Sequence, residues 1–308
     1  NTEPTMSVQI QKPDLTDVGD GEYTNASNLS LTFTSSQTTT DFIATDINVS
    51  NGSISNFSGS GTTYTATLNP SNSALCSITV DQNAYTNQFG TGNTSVTKSF
   101  VYDIIPPTMT VVVTDMSGAL IDLNSTTNKN TLLLTYTASE GIINFGTGDI
   151  SLTPVDYRVT VGSDGGMTRI NSRVYTTIFN SLIDGYFVIN VPPSPYYSDF
   201  AGNQTTSNTM FSFSIDSTSP TMQITAAKPD GSYFSSGSVA TNDTNTFTLT
   251  FTSSEIPVGF SVDDITVTNN NAAVTNLISN FVQSPATGVS TATFTIPAVS
   301  GEYLIGVA

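Results

Sequence analysis

The chain has 308 residues, 24 acidic side chains against 7 basic ones, no histidine and a net charge of −17, although only 10% of its residues are charged. Its cations (Lys12, Lys98, Lys129, Arg158, Arg169, Arg173 and Lys228) are too few and scattered to track phosphates, which argues against nucleic acid and anionic membranes as partners. No apolar run nears the ~20 residues that span a bilayer, and without histidine there is no Ser-His or Cys-His nucleophile and no His-based metal site.

Pro4-Thr5-Met6 opens a first strand that ends at Lys12-Pro13-Asp14, followed by an acidic loop with Asp14, Asp17, Asp20 and Glu22. Leu29, Leu31 and Phe33 then alternate with Ser and Thr, which predicts a strand with one buried and one wet face. Asp46-Ile47 starts another strand, Asn51-Gly52 marks a turn, and Cys76, Ile78 and Val80 alternate as inward residues of a later strand. Cys76 therefore reads as a small buried hydrophobe, and with a single cysteine no internal disulfide can form. Residues 96–103 close this first copy, and Ile104-Ile105-Pro106-Pro107 forms a short, proline-restricted joint.

The same landmarks then return in the same order. Pro107-Thr108-Met109 and Pro220-Thr221-Met222 repeat the opening, and Leu132, Leu134, Tyr136 and Phe247, Leu249, Phe251 repeat the alternating strand. Asp149-Ile150 and Asp264-Ile265 repeat Asp46-Ile47, and Phe187, Ile189, Val191 and Tyr303, Ile305, Val307 repeat the strand of Cys76. This predicts three tandem domains of one fold, 1–105, 106–218 and 219–308, each an all-β Greek-key sandwich of about seven strands. The second copy has a longer middle, 154–180, and closes with 210–216. The third reaches Val307 at the point where the others turn toward their last strand, so it is expected to lack its closing strand.

The combined phrase resembles the bacterial immunoglobulin-like repeats of large surface proteins and adhesins. It is fullest in Phe42-Ile43-Ala44-Thr45-Asp46-Ile47-Asn48-Val49-Ser50-Asn51-Gly52. It recurs in Val262-Asp263-Asp264-Ile265-Thr266-Val267 and in the late turn Asp199-Phe200-Ala201-Gly202-Asn203. The Trp and Cys pair of antibody-type domains is missing. The resemblance implies immunoglobulin-like sandwiches in an extracellular protein, with stalk, spacer or adhesive roles and no particular ligand.

Catalysis is not expected. Asp263-Asp264, the one adjacent carboxylate pair to weigh, reads as a strand-entry turn in which Asp bonds the local backbone. Ca²⁺ is the cofactor to consider: Asp103 and Asp216 stand at equivalent joints, and the loop with Asp17, Asp20 and Glu22 would supply further oxygens if it lay at the same domain end. The expected role is a non-catalytic spacer or stalk of an extracellular adhesin or filament. Its partners would be further copies of the repeat and, by side-by-side association, other filaments. The alternative is glycan or protein recognition by the second copy, whose insert gathers Arg158, Arg169, Arg173 and Tyr175.

Overall fold

The computed structural model describes residues 2–162, 166–193, 196–240, 245–284, 287–298 and 300–307. Asp164-Gly165-Gly166, a turn by its composition, falls mostly outside these residues. The chain divides into two compact units, Asn1–Ser217 and Thr218–Ala308. It is built of immunoglobulin-like β-sandwiches, and the first unit contains two of them, each with its own hydrophobic core.

In the first repeat, Leu29–Thr39 lies between Met6–Gln11 and Gly52–Pro70, with Phe33 opposite both Val8 and Tyr64. The facing sheet runs Tyr23–Thr24, Val96–Tyr102, Ala74–Val80 and Ile47–Ser50. Its penultimate strand, Ala74–Val80, is therefore held on both edges. The alternating residues Leu29, Leu31, Phe33, Cys76, Ile78 and Val80 are all fully buried, and each such large side chain stabilises the fold by about 1.5–3 kcal/mol. Burial raises the Cys76 thiol to about 11, so it stays protonated and inert.

The second repeat has the same plan. Thr131–Ala138 pairs with Met109–Asp115 and Val174–Ser181, and Gly185–Val191 lies between Thr209–Ile215 and Ser151–Thr153. Its longer middle adds Val159–Val161 and Thr168–Arg169, both paired to Val174–Ser181. Leu134, Tyr136, Ile189 and Phe213 have no exposed surface.

The third repeat, in the second unit, has a five-stranded sheet running Tyr233–Phe234, Met222–Ala227, Thr246–Ser253, Val289–Thr295 and Ile278–Gln283. The opposing sheet is Ala272–Ala273, Ile265–Asn269 and Tyr303–Val307. Leu249 and Phe251 are buried, whereas Ile305, expected in the core, is only half-buried. Among the described residues no strand lies on the far side of Tyr303–Val307.

The recurring Asp-Ile pair has a local cause. In each copy the Asp ends a one-turn 3₁₀ helix, Ala44–Asp46, Thr147–Asp149 or Val262–Asp264, and its carboxylate accepts from the N–H three residues before it. The Ile then enters the next strand. Asp264 thus serves its own turn, as read from sequence, and accepts from the Ser261 N–H.

Candidate functional site

The carboxylates of Asp103, Glu140 and Asp199 converge within 4.8 Å of one another where the first repeat meets the second. Asp103 directly follows the closing strand Val96–Tyr102, and its own N–H donates to Thr24 O. Glu140 follows Thr131–Ala138. Asp199 starts a tight turn in which its N–H donates to Asn203 O while its carboxylate accepts from the Asn203 N–H at 2.8 Å.

Asn203 fastens this turn to the first repeat. Its side-chain N–H₂ donates to the Asp199 carboxylate and to the Asp103 carbonyl, both at 2.8 Å, and its amide oxygen accepts from Asn25 at 3.1 Å. Phe200, between them in the turn, sets its ring 5.7 Å from Tyr23 of the first repeat. The ring also lies over Gly141, where an added Cβ would meet its edge and push the ring aside. Beyond the joint, the Ile105 N–H donates to the Asp103 carboxylate, and the Thr108 N–H to Ser139 Oγ.

The first repeat carries a neutral version of the same arrangement. Ser36, Ser139 and Ser254 each accept from the N–H of the opening Thr, at 2.9 Å, which aligns Gln37 with Glu140 and Glu255. Asn87 occupies the place of Asp199, since its N–H donates to Thr91 O in the equivalent turn. There Asn87 donates to Gln37 Oε1 at 2.8 Å, and Gln37 donates to Thr2 O. Two amides complement each other, whereas the two carboxylates of the second repeat do not. Burial and then the nearby charges of Asp103 and Asp199 raise the Glu140 carboxyl to about 7, with Arg173 opposing.

The expected Ca²⁺ set is not assembled. Asp17 accepts from Gln9 and Gln11, both at 2.9 Å, and Glu22 accepts from the Gly19 N–H. Asp20 accepts from the Ser99 N–H and hydroxyl, which together with Lys98 hold its carboxyl below the usual range. The acidic loop therefore lies along the closing strand, four residues short of Asp103, and spends its carboxylates on its own fold. Asp216 donates its N–H to Thr127 O and is exposed, outside the carboxylate cluster found among the described residues.

The expected recognition set also separates. Tyr175 is a core residue, 3% exposed, whose hydroxyl donates to Ile142 O. Val159 pairs with Ser181 and Arg169 with Tyr175, six residues apart on one strand, so Arg158 and Arg169 sit about 20 Å apart at ~3.3 Å per residue. Arg158 forms an ion pair with Asp156 at 2.7 Å, and Arg169 donates to Asn171 O. Arg173 belongs to the joint: it donates to Ala138 O and its charge acts on Glu140.

Repetition, sandwich topology and a built joint define a tandem immunoglobulin-like protein. Residues 1–104, the span of the first repeat, match the bacterial Ig-like domain family. No curated protein matches the sequence. Among solved structures, the chain is similar to InvD of Yersinia pseudotuberculosis, at 14% identity over 99% of this chain and 82% of that one, TM-score 0.40. It is also similar to invasin, a bacterial integrin-binding protein (15%, 97% and 56%, TM-score 0.36), and to domains 4–9 of the surface layer protein SbsC (16%, 99% and 45%, TM-score 0.25). No helix among the described residues is long and apolar enough to cross a membrane.

Proposed function

We propose that the chain is a non-catalytic spacer segment of an extracellular bacterial surface adhesin, acting by joining sandwiches in fixed order. The observation that carries this reading is the Asp199–Asn203 turn, whose side chains reach out of their own repeat to hold Asp103, Asn25 and Tyr23 of the one before. The base-poor polar surface suits an exposed shaft. In this reading the joint takes Ca²⁺ through Asp103, Glu140 and Asp199, a hard-oxygen donor set that water would complete. Calorimetric titration with Ca²⁺ tests the cation: saturable binding that Glu140→Gln abolishes supports it, and no heat above dilution removes it.

Ligand recognition is the second reading, and a patch in the second repeat favours it. Val155, Tyr157 and Leu182 are each at least 80% exposed, Arg158 lies 5.7 Å over the Tyr157 ring, and the Leu182 N–H donates to Arg158 O. Screening on glycan and protein arrays separates the two readings. The spacer reading expects no specific ligand. Binding that is lost on Tyr157→Ala or Arg158→Ala would replace it with recognition.

A further inference from the structure

The far ends of the first two repeats share some groups and differ in others. Tyr23 pairs with Val101 and Thr126 with Ser214, in equivalent places on the two closing strands. One residue on, the Asp103 N–H donates to Thr24 O and the Asp216 N–H to Thr127 O, which fixes the alignment. Asn25 and Asp103 of the first repeat therefore match Asn128 and Asp216 of the second, whereas Tyr23 matches Thr126.

The near ends differ in the matching place. The Asn87 N–H donates to Thr91 O as the Asp199 N–H does to Asn203 O, so Gln88 stands in the first repeat where Phe200 stands in the second. The shared serines set Thr38 and Ile256 where the second repeat has Gly141. A Cβ at Gly141 would meet the Phe200 ring, so of the three repeats the second alone offers this ring its seat. The bonds of Asn203 across the joint go to the Asp103 carbonyl and the Asn25 amide, groups that both far ends possess, and they do not tell one end from the other. The ring pair of Phe200 and Tyr23, at 5.7 Å, is the contact that an end carrying Thr126 cannot make.

We propose that Phe200, seated over Gly141, makes the joint selective: the second repeat docks on the end of a preceding sandwich only where an aromatic side chain stands at the place of Tyr23. This rests on the spacer reading above and adds that the repeats are not interchangeable. The partner that fits is a sandwich end with an aromatic residue, Asn and Asp at the places of Tyr23, Asn25 and Asp103. Selectivity is a difference between two docked states, and with Thr at the first place the polar bonds stay the same while the Phe200 ring loses its partner.

Tyr23 and Phe200 are 43% and 44% exposed, so substitutions there leave both cores intact. The test measures cleavage within residues 103–108 of the 308-residue protein by a protease of low specificity, with Asn203→Ala as the loosened reference. Tyr23→Thr, which gives the first repeat the residue of the second, should be cut about threefold faster than the wild type, and Tyr23→Phe at the wild-type rate. Phe200→Gln should be cut as fast as Tyr23→Thr, and the double variant no faster than either. Tyr23→Thr cut at the wild-type rate while Asn203→Ala is cut faster overturns the selectivity and leaves the spacer reading standing. So does Tyr23→Phe cut as fast as Tyr23→Thr, or effects that multiply in the double variant. A wild-type protein cut as fast as Asn203→Ala overturns both.

Discussion

Gln37 and Glu140 hold the same place in two sandwiches and differ by one functional group. Gln37 accepts a hydrogen bond from Asn87, whereas Glu140 faces two carboxylates and is driven toward its protonated form. The sign of the pH effect follows from that shift. Between the ordinary value of 4.5 and about 7, folded Glu140 keeps a proton that the unfolded chain has lost. Stability from this group is present at low pH, falls as pH rises through that window and levels off above it. In a chelating buffer, the unfolding temperature of the first two repeats should therefore decline from pH 5 to pH 7, and Glu140→Gln, which restores the amide of Gln37, should remove this part of the slope. Equal slopes in the two proteins would contradict the assignment. Burial makes a second residue-level contrast. Ile189→Ala, at a fully buried site, should cost about 2–5 kcal/mol in denaturant unfolding. Ile305→Ala, at a half-buried site, should cost less than half as much. Equal costs would mean that Ile305 is packed as tightly as Ile189.

At the scale of elements, the turn from Asp199 to Asn203 is what joins the first two repeats. Asn203→Ala removes its bonds to Asp103, Asp199 and Asn25 together, so the joint should loosen by about 1–3 kcal/mol while both cores stay folded. Limited proteolysis checks this: cleavage within residues 103–108 should rise several-fold, with near-unchanged circular dichroism. An unaltered cleavage rate would place the strength of the joint elsewhere. The strands themselves were legible in sequence, because alternation such as Leu29, Leu31, Phe33 has only one buried face to offer. The membership of the joint was not. Spacing along the chain does not tell which end of a sandwich a loop occupies, and the acidic loop with Asp17, Asp20 and Glu22 turned out to be satisfied by Gln9, Gln11, Ser99 and Gly19. Asp199 was visible only as part of a recurring phrase, and Glu140 carried no signal of its own. The readable signal was the paired change of Gln37 and Asn87 into carboxylates. Tyr175 misled because an aromatic beside arginines in an insert looks exposed, while its strand position turns it into the core.

For the whole molecule, the first two sandwiches form one compact unit even though each has a separate core. What unites them is the small polar joint, with one ring pair, Tyr23 and Phe200, and a glycine, Gly141, kept bare beneath it. Gly141→Ala should displace that ring and lower the unfolding temperature of the unit, and a fully wild-type melt would show that the ring is free to move aside. A spacer needs neither a cavity nor a reactive group, but it does need fixed order between neighbours, and fixed order between the first two repeats is the central claim. Residual dipolar couplings measured on backbone amides of residues 2–103 and 107–216 of the intact chain test it most directly. The account predicts that both sets fit a single alignment tensor with the domain orientation of the structure. Two tensors of clearly different magnitude would mean that the repeats reorient independently, and would contradict it.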